Sequence, residues 1–130
     1  MKFQTCNPDG VYAPPRNYSQ AAHVPGGSEM LFISGQGPKN AQGATVGVGD
    51  MAAQAKQVFH NLQTILAAHG ATFADVVKVT TYLTDMSQLA AFNAARAQFY
   101  GDAKPTSALI GVTALVDPDW LVEVELVALI

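Results

Sequence analysis

The sequence predicts a single domain of the α+β class, in which strands precede, separate and follow two helices. Three observations lead to this prediction. The length of 130 residues suits one hydrophobic core over the whole of 1–130. Two segments repeat apolar residues at helical spacing, and five segments are rich in β-branched or alternating apolar residues bounded by glycine, proline or aspartate.

The first two strands are predicted at Tyr18 to Val24 and at Met30 to Gln36. The segment between them, Pro25 to Ser28, contains two glycines that can adopt a positive φ, so the strands are predicted to form a hairpin. Glycine, proline and asparagine then break the chain into a loop, with a short strand at Ala44 to Val48. Backbone N–H groups in such a loop are free to contact a ligand.

Both helices have recognisable ends. Asp50 is predicted to cap a helix that runs to about His69, where Gly70 ends it. Its apolar face comprises Ala55, Val58, Phe59, Leu62, Ile65 and Leu66. A second helix is predicted from about Ser87 to Gly101, with Leu89, Phe92, Arg96 and Phe99 on one side. Because arginine interrupts this apolar side, Arg96 is predicted to lie at its edge and to extend its charged group into solvent.

Three further strands are predicted at Val76 to Leu83, Thr106 to Leu115 and Trp120 to Ile130, with a turn at Asp117 to Asp119 before the last. Two helices can cover only one face of such a sheet. The other apolar face is therefore predicted to be covered by another copy of the chain.

The last strand carries two carboxylates on one face. Glu123 and Glu125 point the same way and lie about 7 Å apart, given the rise of a strand. In a strand this apolar, a carboxylate is either paired or part of a functional pocket. The alternative interpretation is that both line a solvated edge or a seam between subunits.

Composition argues against several classes of function. The net charge is −3, and two arginines and five scattered lysines form no basic stripe, so nucleic acid is not an expected partner. The single cysteine, Cys6, has no base nearby in sequence and is interpreted as structural or incidental. No apolar run has the length of a membrane span, and no signal-peptide pattern opens the chain. We expect a cytoplasmic protein without membrane contact.

A metal site is not expected, because the three histidines show no metal-ligand spacing with carboxylates or with Cys6. The Gly35 to Gly37 turn lacks the third glycine of a dinucleotide-binding fingerprint.

Six short segments stand out, which are Tyr18 to Gln20, Phe32 to Gln36, Asp75 to Thr80, Tyr82 to Met86, Phe92-Asn93 and Val122 to Glu125. In this order and at these spacings, they together resemble the RidA/YjgF family, some of whose members are labelled endoribonuclease L-PSP or translation inhibitor. The resemblance runs from about Tyr18 to Ile130. The resemblance implies a chorismate-mutase-like homotrimer with its sheets inside, its helices outside and a pocket in each of three clefts between subunits.

In family members of the deaminase type, an enamine or imine is hydrolysed to a keto acid and ammonia without a cofactor. The resemblance implies that Glu123 positions the attacking water as the catalytic residue. It also implies the binding residues of the substrate, which are Tyr18, Gly35 through its backbone N–H, Asn93, and Leu109 through its backbone N–H.

The sequence departs from the family pattern at one position. The family clamps the substrate carboxylate with an arginine just after a Pro-x pair, and here Ser107 stands at that position. A serine offers one neutral hydroxyl in place of a permanently charged, bidentate fork. Arg16, two residues before Tyr18, is either a replacement cation or an exposed loop residue.

Three functions remain open. The first is a cofactor-free, deaminase-like hydrolase of a small enamine, imine or related metabolite, with weak or absent activity on standard 2-imino acids because of Ser107. The second is a non-catalytic trimeric module that binds a small ligand or has a regulatory role. The third, a ribonuclease or translation inhibitor, is disfavoured by the charge of −3.

Overall fold

The computed structural model describes residues 2–130 and confirms the α+β class. Its helices are α1 (Met51–Ala68) and α2 (Leu89–Tyr100). Its strands are β1 (Gln4–Cys6), β2 (Ala21–His23), β3 (Met30–Gln36), β4 (Val76–Leu83), β5 (Thr106–Gly111) and β6 (Val122–Leu129). Short 3-10 turns at Phe73–Asp75 and Met86–Gln88 precede β4 and α2. Within residues 2–130, neither helix is long and apolar enough to cross a membrane.

Four strands form the main sheet in the order β3-β6-β4-β5. Strand β6 is antiparallel to both of its neighbours, whereas β4 and β5 run parallel and are connected through α2. Along β6, Val122, Val124, Leu126 and Ala128 are all buried, on the face opposite the one that Glu123 and Glu125 were predicted to share. These side chains face α1 and α2, which lie on the same side of the sheet.

The predicted hairpin between the first two strands is wrong. Strand β2 pairs with β1, whose existence sequence reasoning missed, while β3 pairs with β6. The turn from Pro25 to Ser28 permits a hairpin, but β6 offers β3 a longer apolar ladder in the sheet interior. The predicted strand at Ala44 to Val48 is also absent, and only a single bridge joins Lys39 to Thr45.

The helix predictions are largely confirmed. Asp50 caps α1 by accepting a hydrogen bond from the backbone N–H of Ala53 at 3.1 Å, and Gly70 follows the helix with a φ of 69°. The predicted start at Ser87 falls in the 3-10 turn, two residues before α2. The predicted strand to Leu115 stops earlier, since β5 ends at Gly111. An aromatic cluster between the helices contains Phe59, Phe73, Phe92, Phe99 and Tyr100, with ring centres 5.5–6.1 Å apart.

Arg96 does not reach out to solvent as predicted. The residue is only 7% exposed, and its guanidinium carbon lies 5.7 Å from the ring centres of both Phe92 and Tyr100. The two rings flank the side chain one turn before and one turn after it on α2, and they hold it on the inner face of the helix.

The loop before β6 is fixed to α1 by a buried amide. Gln54, which is completely buried, donates to the carbonyl of Asp119 and accepts from the N–H of Leu121, both at 2.8 Å. Between them, the indole N–H of Trp120 donates to the hydroxyl of Thr45 at 3.2 Å. The same indole packs so closely on Gly37 that a side chain could not fit there.

Candidate functional site

The structure brings five of the seven predicted site residues together in one hollow at the outer edge of the sheet, between β5 and α2. We call it the edge hollow, and its volume is about 270 Å³. Its lining comprises Arg16, Tyr18, Leu89, Asn93, Arg96, Ser107 and Leu109. Ser107 and Leu109 contribute from the inner face of β5, and Asn93 and Arg96 contribute from α2.

The N-terminal segment reaches the edge hollow because Ser19 is bound to the start of β5. The backbone N–H of Ser19 donates to the carbonyl of Pro105 at 3.0 Å, and its hydroxyl donates to the carbonyl of Lys104 at 2.6 Å. These bonds place the residues before Ser19 along the open edge of β5. The position of Arg16 in the hollow, which the sequence left undecided, follows from this contact.

The edge hollow has a strongly cationic wall. Within residues 2–130, Arg96 has no carboxylate partner, and its buried Nε makes no hydrogen bond. Burial lowers the pKa of Arg96, Tyr100 opposes this, and the positive charge of Arg16 adds the smallest lowering effect. Both guanidinium groups therefore act on the same small volume.

The remaining two predicted residues, Glu123 and Gly35, lie together on β6 and β3. A register shift between Ile33 and Gln36 takes Gly35 out of the regular ladder and brings it against the Glu123 side chain. A Cβ at Gly35 would lie 2.9 Å from the carboxylate carbon of Glu123. Glycine is therefore the residue that leaves room for this carboxylate.

Sequence reasoning missed Tyr82, which lies beside both strand carboxylates. Its hydroxyl donates to Glu125 at 2.8 Å, and its Cα is the register partner of Glu123. The pKa of Tyr82 is raised by the hydrogen bond to Glu125 first, then by desolvation and by the charges of Glu125 and Glu123. The alternation of Lys78, Thr80 and Tyr82 along β4 was a signal that could have placed this hydroxyl on the carboxylate face.

The two groups of predicted residues lie on opposite faces of the sheet within one chain. Ser107 is the register partner of Val79, which is buried under the helices. Glu123 is the register partner of Tyr82, three residues further along β4, and so points to the face away from the helices. One chain by itself does not unite the edge hollow with the Glu123 carboxylate.

Residues 2–130 contain no cluster of three or more histidine, cysteine, aspartate or glutamate side chains placed to hold an ion.

Comparison with known proteins gives consistent matches. The sequence model of the family described as endoribonuclease L-PSP matches residues 11–130. The chain is 39% identical over 111 residues to a RutC family protein of Pyrococcus horikoshii, and the match covers 85% of each chain. It is 40% identical over 98 residues to the protein DfrA of Myxococcus xanthus, which covers 75% of this chain and 74% of DfrA.

Two solved structures show the same fold. YyfB from Yersinia pestis, described as a protein of unknown function of the conserved Rid family, superposes with a TM-score of 0.89 at 39% identity, over 100% of both chains. RidA from an Antarctic Psychrobacter species superposes with a TM-score of 0.72 at 33% identity, over 98% of this chain and 99% of that one.

Proposed function

From the premise that this chain belongs to the RidA/YjgF family, the family of the endoribonuclease L-PSP sequence model, we propose that it hydrolyses a small enamine, imine or related metabolite without a cofactor. The proposed site is a cleft between two copies in a homotrimer, in the cytoplasm. One copy contributes the edge hollow, and its neighbour contributes the face that carries Glu123.

The observation that carries this proposal is the division of the site between two faces. Ser107, Asn93 and Tyr18 line the edge hollow. Glu123 and Gly35 lie on the face of the sheet that points away from the helices, which we call the open face. The hollow lies at the free edge of β5, where a neighbouring chain can approach. The open face also exposes apolar side chains, among them Phe32 at 71%, which supports its burial against another copy.

The chemistry assigned to this cleft is addition of water to a C=N bond. The Glu123 carboxylate accepts a proton from water as the oxygen attacks the imine carbon, which gives a carbinolamine. Transfer of that proton to the nitrogen completes the carbinolamine. The carbinolamine hydroxyl then gives a second proton to the nitrogen as the C–N bond breaks, so that one imine and one water give one ketone and one ammonia. The N–H of Gly35, which lies beside Glu123, and the polar groups of Tyr18 and Asn93 orient the substrate.

Ser107 limits the choice of substrate. Hydrogen bonds to charged groups contribute about 1.5–3 kcal/mol each, and the fork of an arginine can make two of them to a carboxylate. Without an arginine on β5, we expect hydrolysis of standard 2-imino acids to be weak or absent.

The test is a turnover assay with two glutamate variants. Iminopropanoate and uncharged imines of similar size would be generated freshly, and the release of ammonia and of the carbonyl product would be recorded. We expect Glu123→Gln to lose about 100-fold or more of any acceleration while the assembly stays intact. Glu29→Gln serves as the matched control, because Glu29 is exposed in the turn before β3. Equal rates for Glu123→Gln and the unmodified protein would contradict the proposal.

A second candidate, a non-catalytic module that binds a small ligand or acts as a regulator, is favoured by one observation, the serine at position 107. Native mass spectrometry of the purified assembly distinguishes it. A co-purified small molecule that keeps its mass during prolonged incubation, together with no turnover of any imine, would support the binding module over the hydrolase.

A further inference from the structure

Arg96 is an unusual residue to find inside this fold. A guanidinium taken out of water without a carboxylate partner costs free energy, and buried charges are normally paired. Here the residue is 93% buried, and its Nε has no protein partner within residues 2–130. The flanking rings of Phe92 and Tyr100 offset part of this cost through cation–π contact, but they accept none of its N–H groups in a strong hydrogen bond.

The rest of the edge hollow fits an anion. Arg16 provides a second guanidinium at its exposed side, and no carboxylate lines the hollow. Three uncharged polar side chains, those of Tyr18, Asn93 and Ser107, can donate hydrogen bonds. An anion in this hollow would meet donors and positive charge without an acidic competitor.

We propose that the edge hollow binds the carboxylate of a small ligand through Arg96 of α2, assisted by Arg16 of the N-terminal segment, so that the carboxylate is held from a different position than an arginine on β5 would hold it. The proposal rests on the proposed function only in placing the ligand at the same hollow. It makes Arg96 a residue that determines ligand specificity.

Geometry and size favour a monocarboxylate over other anions. The planar fork of an arginine matches the two oxygens of a carboxylate in a bidentate contact. A volume of about 270 Å³ lies just below the usual range for ligand pockets, so the ligand is small. Leu89 and Leu109 supply an apolar wall for the carbon chain next to the carboxylate.

The test measures binding of defined probes by NMR titration of the intact protein. Butanoate and 2-oxobutanoate are the carboxylate probes, butanamide is the neutral counterpart, and inorganic phosphate is a different anion. We expect both carboxylates to bind and butanamide to bind at least about tenfold more weakly, a difference of about 1.4 kcal/mol. Phosphate that binds more tightly than butanoate would overturn the assignment to carboxylates.

Three variants distinguish a specific contact between Arg96 and the carboxylate from a general effect of the protein's positive charges. We expect Arg96→Met to weaken butanoate binding by about tenfold or more, without a lower melting temperature, because it replaces an unpaired buried charge by an apolar side chain of similar length. Arg96→Lys should lose less, since it keeps the charge but not the fork. Lys56→Met, on the exposed side of α1, removes the same charge and should bind as the unmodified protein does.

Arg16→Gln provides a readout if Arg96→Met does not fold. Arg16 is exposed, so its contribution is screened by salt. We expect Arg16→Gln to weaken butanoate binding at low salt and to reduce its dependence on salt concentration.

The outcomes distinguish this inference from the proposed hydrolase. Unchanged butanoate binding in Arg96→Met, or a protein that binds no carboxylate, would overturn the inference even if Glu123→Gln abolishes turnover. Binding that depends on Arg96 would uphold it even if no imine is hydrolysed.

Discussion

Individual residues determine where the reactive groups of this fold lie, and the contact between Gly35 and Glu123 shows this most clearly. The register shift in β3 brings a backbone without a side chain against the carboxylate. In the proposed hydrolase, the position of that carboxylate determines where water is held. A methyl group added at Gly35 on β3 should therefore displace the carboxylate of Glu123 on β6.

We expect Gly35→Ala to reduce turnover by about tenfold or more, since a Cβ 2.9 Å from the carboxylate carbon must displace Glu123. The matched control is Gly26→Ala. Gly26 lies in an exposed turn at a φ that is not positive, and a Cβ there would meet nothing within 4 Å. Rates would be compared in the imine assay. A Gly35→Ala protein as active as Gly26→Ala would show that the carboxylate need not stay where it lies.

The sequence predicted Tyr18, Asn93, Ser107 and Leu109 of the edge hollow and left Arg16 open, but it did not place Arg96 there. Counting from Pro105 identified the serine at position 107 without any structure. The orientation of Arg96 could not be obtained this way, because helical spacing places a residue near an apolar face but does not say whether its charged end points out or in. The packing of Phe92 and Tyr100 around the side chain decides this, and that packing depends on tertiary structure.

Elements are held in place by a few polar contacts, of which Gln54 is the most buried. Its amide joins α1 to the loop that leads into β6, and it forms hydrogen bonds with two backbone groups.

We expect Gln54→Met to lower the free energy of unfolding by at least about 2 kcal/mol, because both backbone groups lose their hydrogen-bond partner. Urea unfolding at a fixed protein concentration measures this. The control, Gln63→Met on the exposed side of α1, should change stability little, and equal losses in both variants would contradict the argument.

The turn before α2 should make stability depend on pH. The Asp85 carboxylate accepts hydrogen bonds from the Ser87 hydroxyl at 2.6 Å and the Ser87 N–H at 3.0 Å, and both lower the pKa of Asp85 below 3.8. A carboxylate with a lowered pKa in the folded state stabilises the fold above its unfolded pKa, and this stabilisation is lost as the pH falls through the folded pKa.

We therefore expect Asp85→Ala to lower the melting temperature at neutral pH, and we expect the difference from the unmodified protein to shrink in strong acid below the folded pKa. Melting curves from neutral to strongly acidic pH check this. Asp102→Ala, in an exposed turn, is the control. A difference that stays constant into strong acid would show that the carboxylate charge is not involved.

Local patterns predicted some elements well and failed for others. The bounds of β4 and the cap of α1 depend on neighbouring residues, and the sequence predicted both. Strand pairing depends on residues far apart in the chain, so the partner of β3 could not be read from the glycine-rich turn beside it. The same limit applies to β1, whose three residues pair only with a segment about 17 positions away.

The whole molecule presents one covered and one open sheet face. Phe32 is the most exposed aromatic side chain of the open face, and Met30 on the same strand is 50% exposed. An apolar face of this kind is unfavourable in water unless another surface covers it. In the proposed homotrimer, the neighbouring copies cover it.

We expect Phe32→Glu to shift the protein from trimer to monomer, because a charge would be buried at the seam between copies. Light scattering after size-exclusion chromatography measures the mass. Val116→Glu, in the loop between β5 and β6, alters a side chain that is even more exposed but lies outside the sheet, and it should leave the mass unchanged. If the unmodified protein were a monomer, the proposed homotrimer would be contradicted.

The packing of Trp120 has a practical consequence for all of these measurements. It is the sole tryptophan of the chain, it is 8% exposed, and it lies three positions before Glu123. Its indole contacts Gly37 and Thr45, which belong to the loop after β3. Intrinsic fluorescence excited at the indole band thus reports from one known place, and quenching by iodide would reveal any loosening of that loop without an attached dye.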